Sequence, residues 1–220
     1  MKFDQFGLDE RIVKAIAGAG YTVPTSIQQQ AIPKVMEGHD VLGLAQTGTG
    51  KTAAFTLPIL QRLKKGPQRR VRALVVVPTR ELAEQIYQTS VQLGKHTRVR
   101  CVAVYGGVSK NSQVARLRKG AELVIACPGR LLDLFGDGDI DLSETEVLVL
   151  DEADRMCDMG FMPDIRRIIK ILPSKRQTLF FAATMPEDIR RLTDRIPVSY
   201  THLRAHETLR YLVCRLLLEK

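Results

Sequence analysis

No tryptophan occurs in the 220 residues, and Phe and Tyr bring the aromatic share to only 5%. A core built from such a chain must be aliphatic. Cysteine is scarce as well: four thiols, at Cys101, Cys127, Cys157 and Cys214, with no CxxC pair and no zinc-like set of partners. That excludes a disulfide framework and a zinc module, and it leaves reduced, mostly buried thiols of the cytosolic kind. No apolar run approaches the ~18 residues of a membrane span, and Met1-Lys2-Phe3-Asp4 does not lead into a signal-peptide core. Internal repeats and low-complexity tracts are missing too. What the chain has in excess is positive charge: 33 Lys and Arg against 24 Asp and Glu, a formal net charge of +9 and a pI of about 9.6. A polyanionic partner fits this balance, nucleic acid before anionic membrane. The 45% hydrophobic and 26% charged shares are those of an ordinary soluble protein, long enough for one domain with a core.

Short apolar runs alternate with amphipathic segments. Strands are expected at Val41–Ala45, Ala73–Val77, Val99–Val104, Leu123–Ala126, Val147–Leu150 and Thr178–Ala182. They are continuous runs of Val, Leu and Ile without polar alternation, which suits strands covered on both faces of a parallel sheet. Helical patterns fall between them at Leu8–Ala19, Ser26–Met36, Lys51–Lys64, Arg80–Gly94, Ser109–Arg118, Pro163–Leu172 and Pro186–Arg195. The alternation defines an α/β chain with a mostly parallel, doubly wound sheet. Ligands of such sheets bind beyond the carboxyl ends of the strands, so the residues just after each strand carry the interest. The basic stretch Lys64–Arg72 is expected to be a mobile loop.

After the first strand comes Ala45-Gln46-Thr47-Gly48-Thr49-Gly50-Lys51-Thr52, which fits GxxxxGK[ST] except that Ala45 replaces the first Gly. Gly48 and Gly50 let backbone amides turn inward around phosphate oxygens. Lys51 reaches the β- and γ-phosphates, and the Thr52 hydroxyl is a Mg²⁺ ligand. A plain glycine turn capping a helix is the alternative, but strand, loop, Lys-Thr and helix stand in the required order. The fully apolar strand Val147–Leu150 runs into Asp151-Glu152-Ala153-Asp154. An Asp at that place holds Mg²⁺, and the Glu beside it orients and deprotonates an attacking water. Acids also favour the first turn of a helix for reasons of charge alone. The phosphate loop about 100 residues earlier is what favours the catalytic reading.

Asp151-Glu152-Ala153-Asp154 spells the DEAD string, and the chain resembles the DEAD-box RNA helicases over residues 1 to about 195. The resemblance implies a three-layer, RecA-like P-loop NTPase domain. Phe3 and Gly20-Tyr21-Thr22-Val23-Pro24-Thr25-Ser26-Ile27-Gln28 resemble the Q motif. There the Gln amide reads adenine and the upstream Phe stacks on it, which makes ATP the nucleotide. Thr25 and Gln28 also fit a capping box for the next helix, and both roles stand open. Pro78-Thr79-Arg80-Glu81-Leu82-Ala83 resembles motif Ia, Gly106-Gly107 the GG motif, Pro128-Gly129-Arg130 the end of motif Ib, and Gly160-Phe161 a further RNA-side element. Exposed amides, a Thr hydroxyl and an Arg at strand ends suit a nucleic-acid backbone without sequence preference. Ala182-Ala183-Thr184 stands where the family has Ser-Ala-Thr, the motif that couples the nucleotide site to strand separation. Thr184 and Glu187 fit a capping box as well. Two departures are Ala182, which lacks the hydroxyl, and Cys127, where Thr is usual and a thiol is the poorer donor.

These readings assign Lys51, Asp151 and Glu152 to catalysis, Thr52 and Asp151 to Mg²⁺, and Asp154 with Ala182, Ala183 and Thr184 to coupling. The expected partners are RNA and a second RecA-like domain that this sequence does not contain; the protein is expected to be a cytoplasmic monomer with no membrane. Pro197–Lys220 departs from the family, resembles a non-native tail, and is set aside; an amphipathic helix over Leu209–Leu218 is its rival reading. Two other functions fit the same motifs less well: a P-loop ATPase acting on DNA or in transport, and a lone RecA-like domain that binds RNA or protein without catalysis.

Overall fold

The computed structural model describes residues 2–195 and 201–204. A 3-10 turn at Phe3–Phe6 leads into α1 (Glu10–Gly18) and α2 (Ser26–Met36). Then β1 (Val41–Leu44), α3 (Lys51–Leu63), β2 (Ala73–Val76), α4 (Arg80–Gly94), β3 (Cys101–Val104), α5 (Lys110–Arg118) and β4 (Leu123–Ala126) alternate. The chain continues through α6 (Pro128–Gly136), β5 (Val147–Leu150), α7 (Ala153–Asp158), α8 (Met162–Ile171), β6 (Gln177–Ala182), α9 (Glu187–Arg195) and β7 (Thr201–Arg204). The seven strands form one sheet in the order β3-β4-β2-β5-β6-β1-β7, and every pairing is parallel.

Helix placement follows from the route of the chain. From β1 it runs out to β2 and β3 with α3 and α4 on one face, then returns to β4, β5, β6 and β7 with α5 to α9 on the other. Right-handed crossovers demand opposite faces once the direction reverses. Alternate strand residues feed the two layers. Leu74 and Val76 join a cluster with Leu131, Leu134, Ile165 and Ile168, while Ala73, Val75 and Val77 join one with Ala54, Phe55, Ile59 and Ile86. A third cluster seats Phe3, Ile12 and Ile16 under α3 and α4.

The Lys64–Arg72 stretch is not a free loop, contrary to expectation. Lys64 pairs with Asp9, Arg70 with Glu144 at 2.9 Å, and the buried Arg72 with Glu146 at 2.6 Å. The Arg69 amide donates to the buried Glu122. Thr201–Arg204, within the segment set aside, forms the edge strand β7, registered on β1 from Val41↔Thr201 to Leu44↔Arg204 with Leu203 buried. The helix weighed for Leu209–Leu218 and the thiol of Cys214 lie outside the described residues. Cys101, Cys127 and Cys157 are free but only half-buried.

Candidate nucleotide and nucleic-acid sites

The phosphate loop, the Asp151–Asp154 string and the turns after β2, β3, β4 and β6 open at the carboxyl end of the sheet, as a parallel arrangement requires. The phosphate loop leaves β1 at Ala45, whose N–H donates to the Ala182 carbonyl at 3.0 Å and so ties the loop to β6. Gly48 and Gly50 have φ of 88° and 91°, a left-handed conformation that costs other residues and not glycine. A Cβ on Gly50 would also lie 2.5 Å from Gln28 Nε2. Thr49 Oγ1 donates to Gln46 O at 2.8 Å, closing the turn, and Thr52 stands half-buried in the first turn of α3. Lys51 is 6% exposed, and its Nζ donates to the Ala45 carbonyl at 2.8 Å. The ammonium is thereby held over the loop.

Asp151 prolongs β5 through its N–H to Val76 O at 3.1 Å. It is 2% exposed, and burial pushes its carboxyl up to about 6 against the opposing pull of Lys51. Glu152 follows in a left-handed conformation, φ 51°, which is strained for a residue with a Cβ. Its N–H donates to Asp151 Oδ1 at 3.0 Å and its carboxylate meets Arg155 at 3.2 Å. Lys51, Thr52, Asp151 and Glu152 line one cleft of about 300 Å³ together with Thr47, Gly48 and Gly50.

Of the two roles left open for Gln28, its amide takes the capping one, and its remaining donor is engaged by the phosphate loop. Its Oε1 accepts the Thr25 N–H at 2.9 Å, which completes the capping box of α2, and its Nε2 donates to Gly50 O at 3.1 Å. It is 1% exposed and joins the Q-motif segment to the phosphate loop. Phe3 is buried, edge-on to Phe6 and Tyr21 at 6.0 and 6.2 Å; the cleft is lined by Tyr21 rather than by Phe3. Leu82, Gln85 and Thr89 of α4 also line it. Sequence reasoning missed them; the signal was there, since residues spaced by three and four share one side of a helix.

Asp154 is the centre of a clamp. Its Oδ2 accepts the Ala183 N–H at 3.0 Å, the Thr184 N–H at 2.8 Å and the Thr184 hydroxyl at 3.0 Å. The Thr184/Glu187 capping box does not form: the Thr184 N–H that Glu187 would accept goes to Asp154, and Glu187 accepts from Arg191 at 3.1 Å. Ala182 is fully buried at the end of β6.

The expected RNA-side residues that follow β2, β3 and β4 lie on the same edge. Thr79 caps α4 by accepting the Leu82 N–H at 3.3 Å, with Pro78 buried before it and Arg80 and Glu81 exposed after it. The Arg80 guanidinium lies 5.3 Å over the Tyr105 ring, beside exposed Gly106 and Gly107. Burial first and Glu84 second raise the Tyr105 phenol pKa, against Arg80 and Arg116. Pro128 and Gly129 open α6 behind Cys127, whose thiol burial pushes up to about 11. Arg130 donates to Val108 O at 3.3 Å and meets Asp133 at 3.5 Å, tying the Gly106–Gly107 turn to α6. Gly160 turns with φ 79°, whereas Phe161 packs half-buried against the core.

Comparison with known proteins agrees with this geometry. A sequence-family model described as DEAD/DEAH box helicase matches residues 25–192. The chain is 50% identical over 194 residues to a DEAD-box ATP-dependent RNA helicase, RhpA, of Helicobacter pylori, covering 88% of the chain and 39% of that protein. It is 47% identical, over 88% of the chain and 37% of the relative, to the ATP-dependent RNA helicase CshA of Listeria monocytogenes. Among solved structures, a DEAD box protein from the hyperthermophile Methanococcus jannaschii superposes with a TM-score of 0.89 at 30% identity, over 99% of this chain and 63% of that one. This chain belongs to the DEAD/DEAH box helicase family, and its fold is the RecA-like α/β domain. It spans about two fifths of the length of these curated relatives.

Proposed function

We propose that the chain is the ATP- and RNA-binding first half of an ATP-dependent RNA helicase. The observation that carries the reading is the connected set around the cleft. Lys51 and Thr52 stand on the loop, Asp151 and Glu152 stand opposite, and Asp154 locks the Ala183–Thr184 turn to the same helix. The residues fit a hydrated Mg²⁺ arriving with phosphates. Asp151 and Thr52 offer two oxygens, few enough to leave the rest of an octahedral shell to water and phosphate. A bound Mg²⁺ would supply neutralisation of phosphate charge. Lys51 exchanges the Ala45 carbonyl for phosphate oxygens, and Glu152 accepts the proton of the attacking water. Tyr21 borders the place where a base would sit, and Gln28 holds the Gly50 end of the loop behind it.

Arg80, Gly106, Gly107, Pro128, Gly129 and Arg130 make the RNA side, through backbone groups and cations that cannot tell one sequence from another. The Asp154 clamp relays a change at Asp151 and Glu152 to the turn after β6. A second RecA-like domain completes the ATP site and the RNA cleft in the parent protein, so this half alone turns over ATP very slowly. Equilibrium binding of a fluorescent ATP analogue tests the reading. Unlabelled ATP should displace it better than GTP, and Lys51→Ala should abolish binding. Equal displacement by GTP, or full binding by that variant, would defeat it.

A further inference from the structure

The chain's positive charge is not spread evenly. Residues 95–119 contain Lys95, Arg98, Arg100, Lys110, Arg116, Arg118 and Lys119 and not one Asp or Glu. Over residues 1–196 there are 29 Lys and Arg against 22 Asp and Glu; outside 95–119 that becomes 22 against 22. The whole excess therefore sits on the segment made by the end of α4, the edge strand β3 and α5. Lys110 is neutralised by Asp133 and Asp137, and Arg118 by Asp139. Among the described residues, Lys95, Arg98, Arg100, Arg116 and Lys119 have no carboxylate partner, and all five are exposed.

Their arrangement is built. Glu122, 2% exposed, accepts the Arg69 N–H at 2.5 Å and the Arg100 N–H at 2.7 Å, so one buried carboxylate pins two loops side by side. Arg69 is held there at φ 63°, a strained conformation, against Gly120; a Cβ on Gly120 would fall 2.4 Å from Arg69 Cβ. Arg100 Nη1 donates to Lys119 O at 2.7 Å. Three cations, Arg69, Arg100 and Lys119, are thus gathered at the amino end of the sheet. α5 links them to the Gly106–Gly107 turn at the other end, with Ser112, Arg116 and Lys119 spaced as one exposed stripe. Nine helical residues span about 14 Å.

Building on the RNA-side reading above, we infer that this stripe is a second stretch of RNA track. A strand leaving the Gly106–Gly107 turn runs down α5, and its phosphates end on Arg69, Arg100 and Lys119. Arg100 and Lys119 have no carboxylate partner, while Arg69 shares a hollow with Asp139, Asp141 and Glu144; exposed cations bind phosphodiester backbone by counterion release, at about 0.7 in salt slope per phosphate on single strands. Three contacts give about 2.

The test is fluorescence anisotropy of this chain with dye-labelled oligo-uridine of 6 and 12 nucleotides, from 50 to 200 mM salt. The 12-mer should bind about tenfold tighter at 50 mM, with a salt slope steeper by about 2. The variant Arg69→Gly/Arg100→Gln/Lys119→Gln should erase that gain and leave the 6-mer unchanged. Glycine accepts the Arg69 conformation, and Lys119→Gln alone, on the helix surface, should lower the slope by about 0.7 if the triple variant melts early. Arg166→Gln/Lys170→Gln/Lys175→Gln removes the same charge from the α8 side and should change nothing. Equal loss on both RNAs, or the same loss in the α8 variant, would overturn the track while sparing the RNA reading. Failure of both RNAs to bind at 50 mM would overturn both.

Discussion

Asp151→Asn should make the ligand-free protein more stable, and the size follows from burial. The ordinary carboxyl value is 3.8, and in the fold it is pushed up to about 6. A raised carboxyl favours its protonated form in the folded state. Its contribution is therefore fully present below pH 4 and is lost as the pH rises through 6. Above that, the ionised buried group costs about two pH units of free energy, or about 3 kcal/mol. Asparagine keeps the shape and the acceptor for the Glu152 N–H, 3.0 Å away, and removes the charge. The expected gain is about 3 kcal/mol at pH 7.5 and under about 1 kcal/mol at pH 4. At roughly 2–4 °C per kcal/mol for a domain of this size, the melting temperature should rise by about 6–12 °C at pH 7.5. Melts of both proteins at the two pH values measure it. Mg²⁺ with ATP should stabilise the wild type and not the variant. No gain at pH 7.5, or the same gain at both, would refute the reasoning.

Asp154→Ala strips the partners from two N–H groups and a hydroxyl and should cost about 1–3 kcal/mol in urea unfolding, with Asp154→Asn recovering part of it. Glu152→Gly should relax the φ 51° backbone and add about 1 kcal/mol of stability while removing hydrolysis; a loss of stability in the melt would count against stored strain. Gly43→Ala in β1 would put a Cβ 2.7 Å from the Phe181 ring and should cost about 1–3 kcal/mol, with Phe181→Leu restoring part.

The apolar runs made six of the seven strands legible because they are unbroken by polar residues, and Ser26–Met36 and Arg80–Gly94 were found to the residue because each opens behind a Thr cap. Two helices escaped. α6 begins Pro128-Gly129, which reads as a turn, although proline is at home in the first turn of a helix. α7 has six residues, too few to show a period. In the candidate site, Lys51, Asp151 and Glu152 could be named from spacing because their chemistry is tied to backbone positions. What Lys51 holds and what Asp154 clamps could not, since those contacts join Ala45 to Lys51 around a turn and α7 to β6 across 29 and 30 residues. Phe3 is legible by its place in a motif, whereas its edge-on packing against Phe6 and Tyr21 is not. Glu122 carried no signal at all, being one acid among 24 until burial singled it out.

As proposed, this chain carries the ATP- and RNA-binding half of a helicase whose turnover needs a second RecA-like domain. Steady-state ATP hydrolysis, with and without single-stranded RNA, tests it most directly. It should be measured on this chain alone and on the chain joined to the remaining part of the Helicobacter relative. The account predicts background turnover for the chain alone and RNA-stimulated turnover for the joined protein, lost again with Glu152→Gln. Saturating, RNA-stimulated turnover by the chain alone would contradict it.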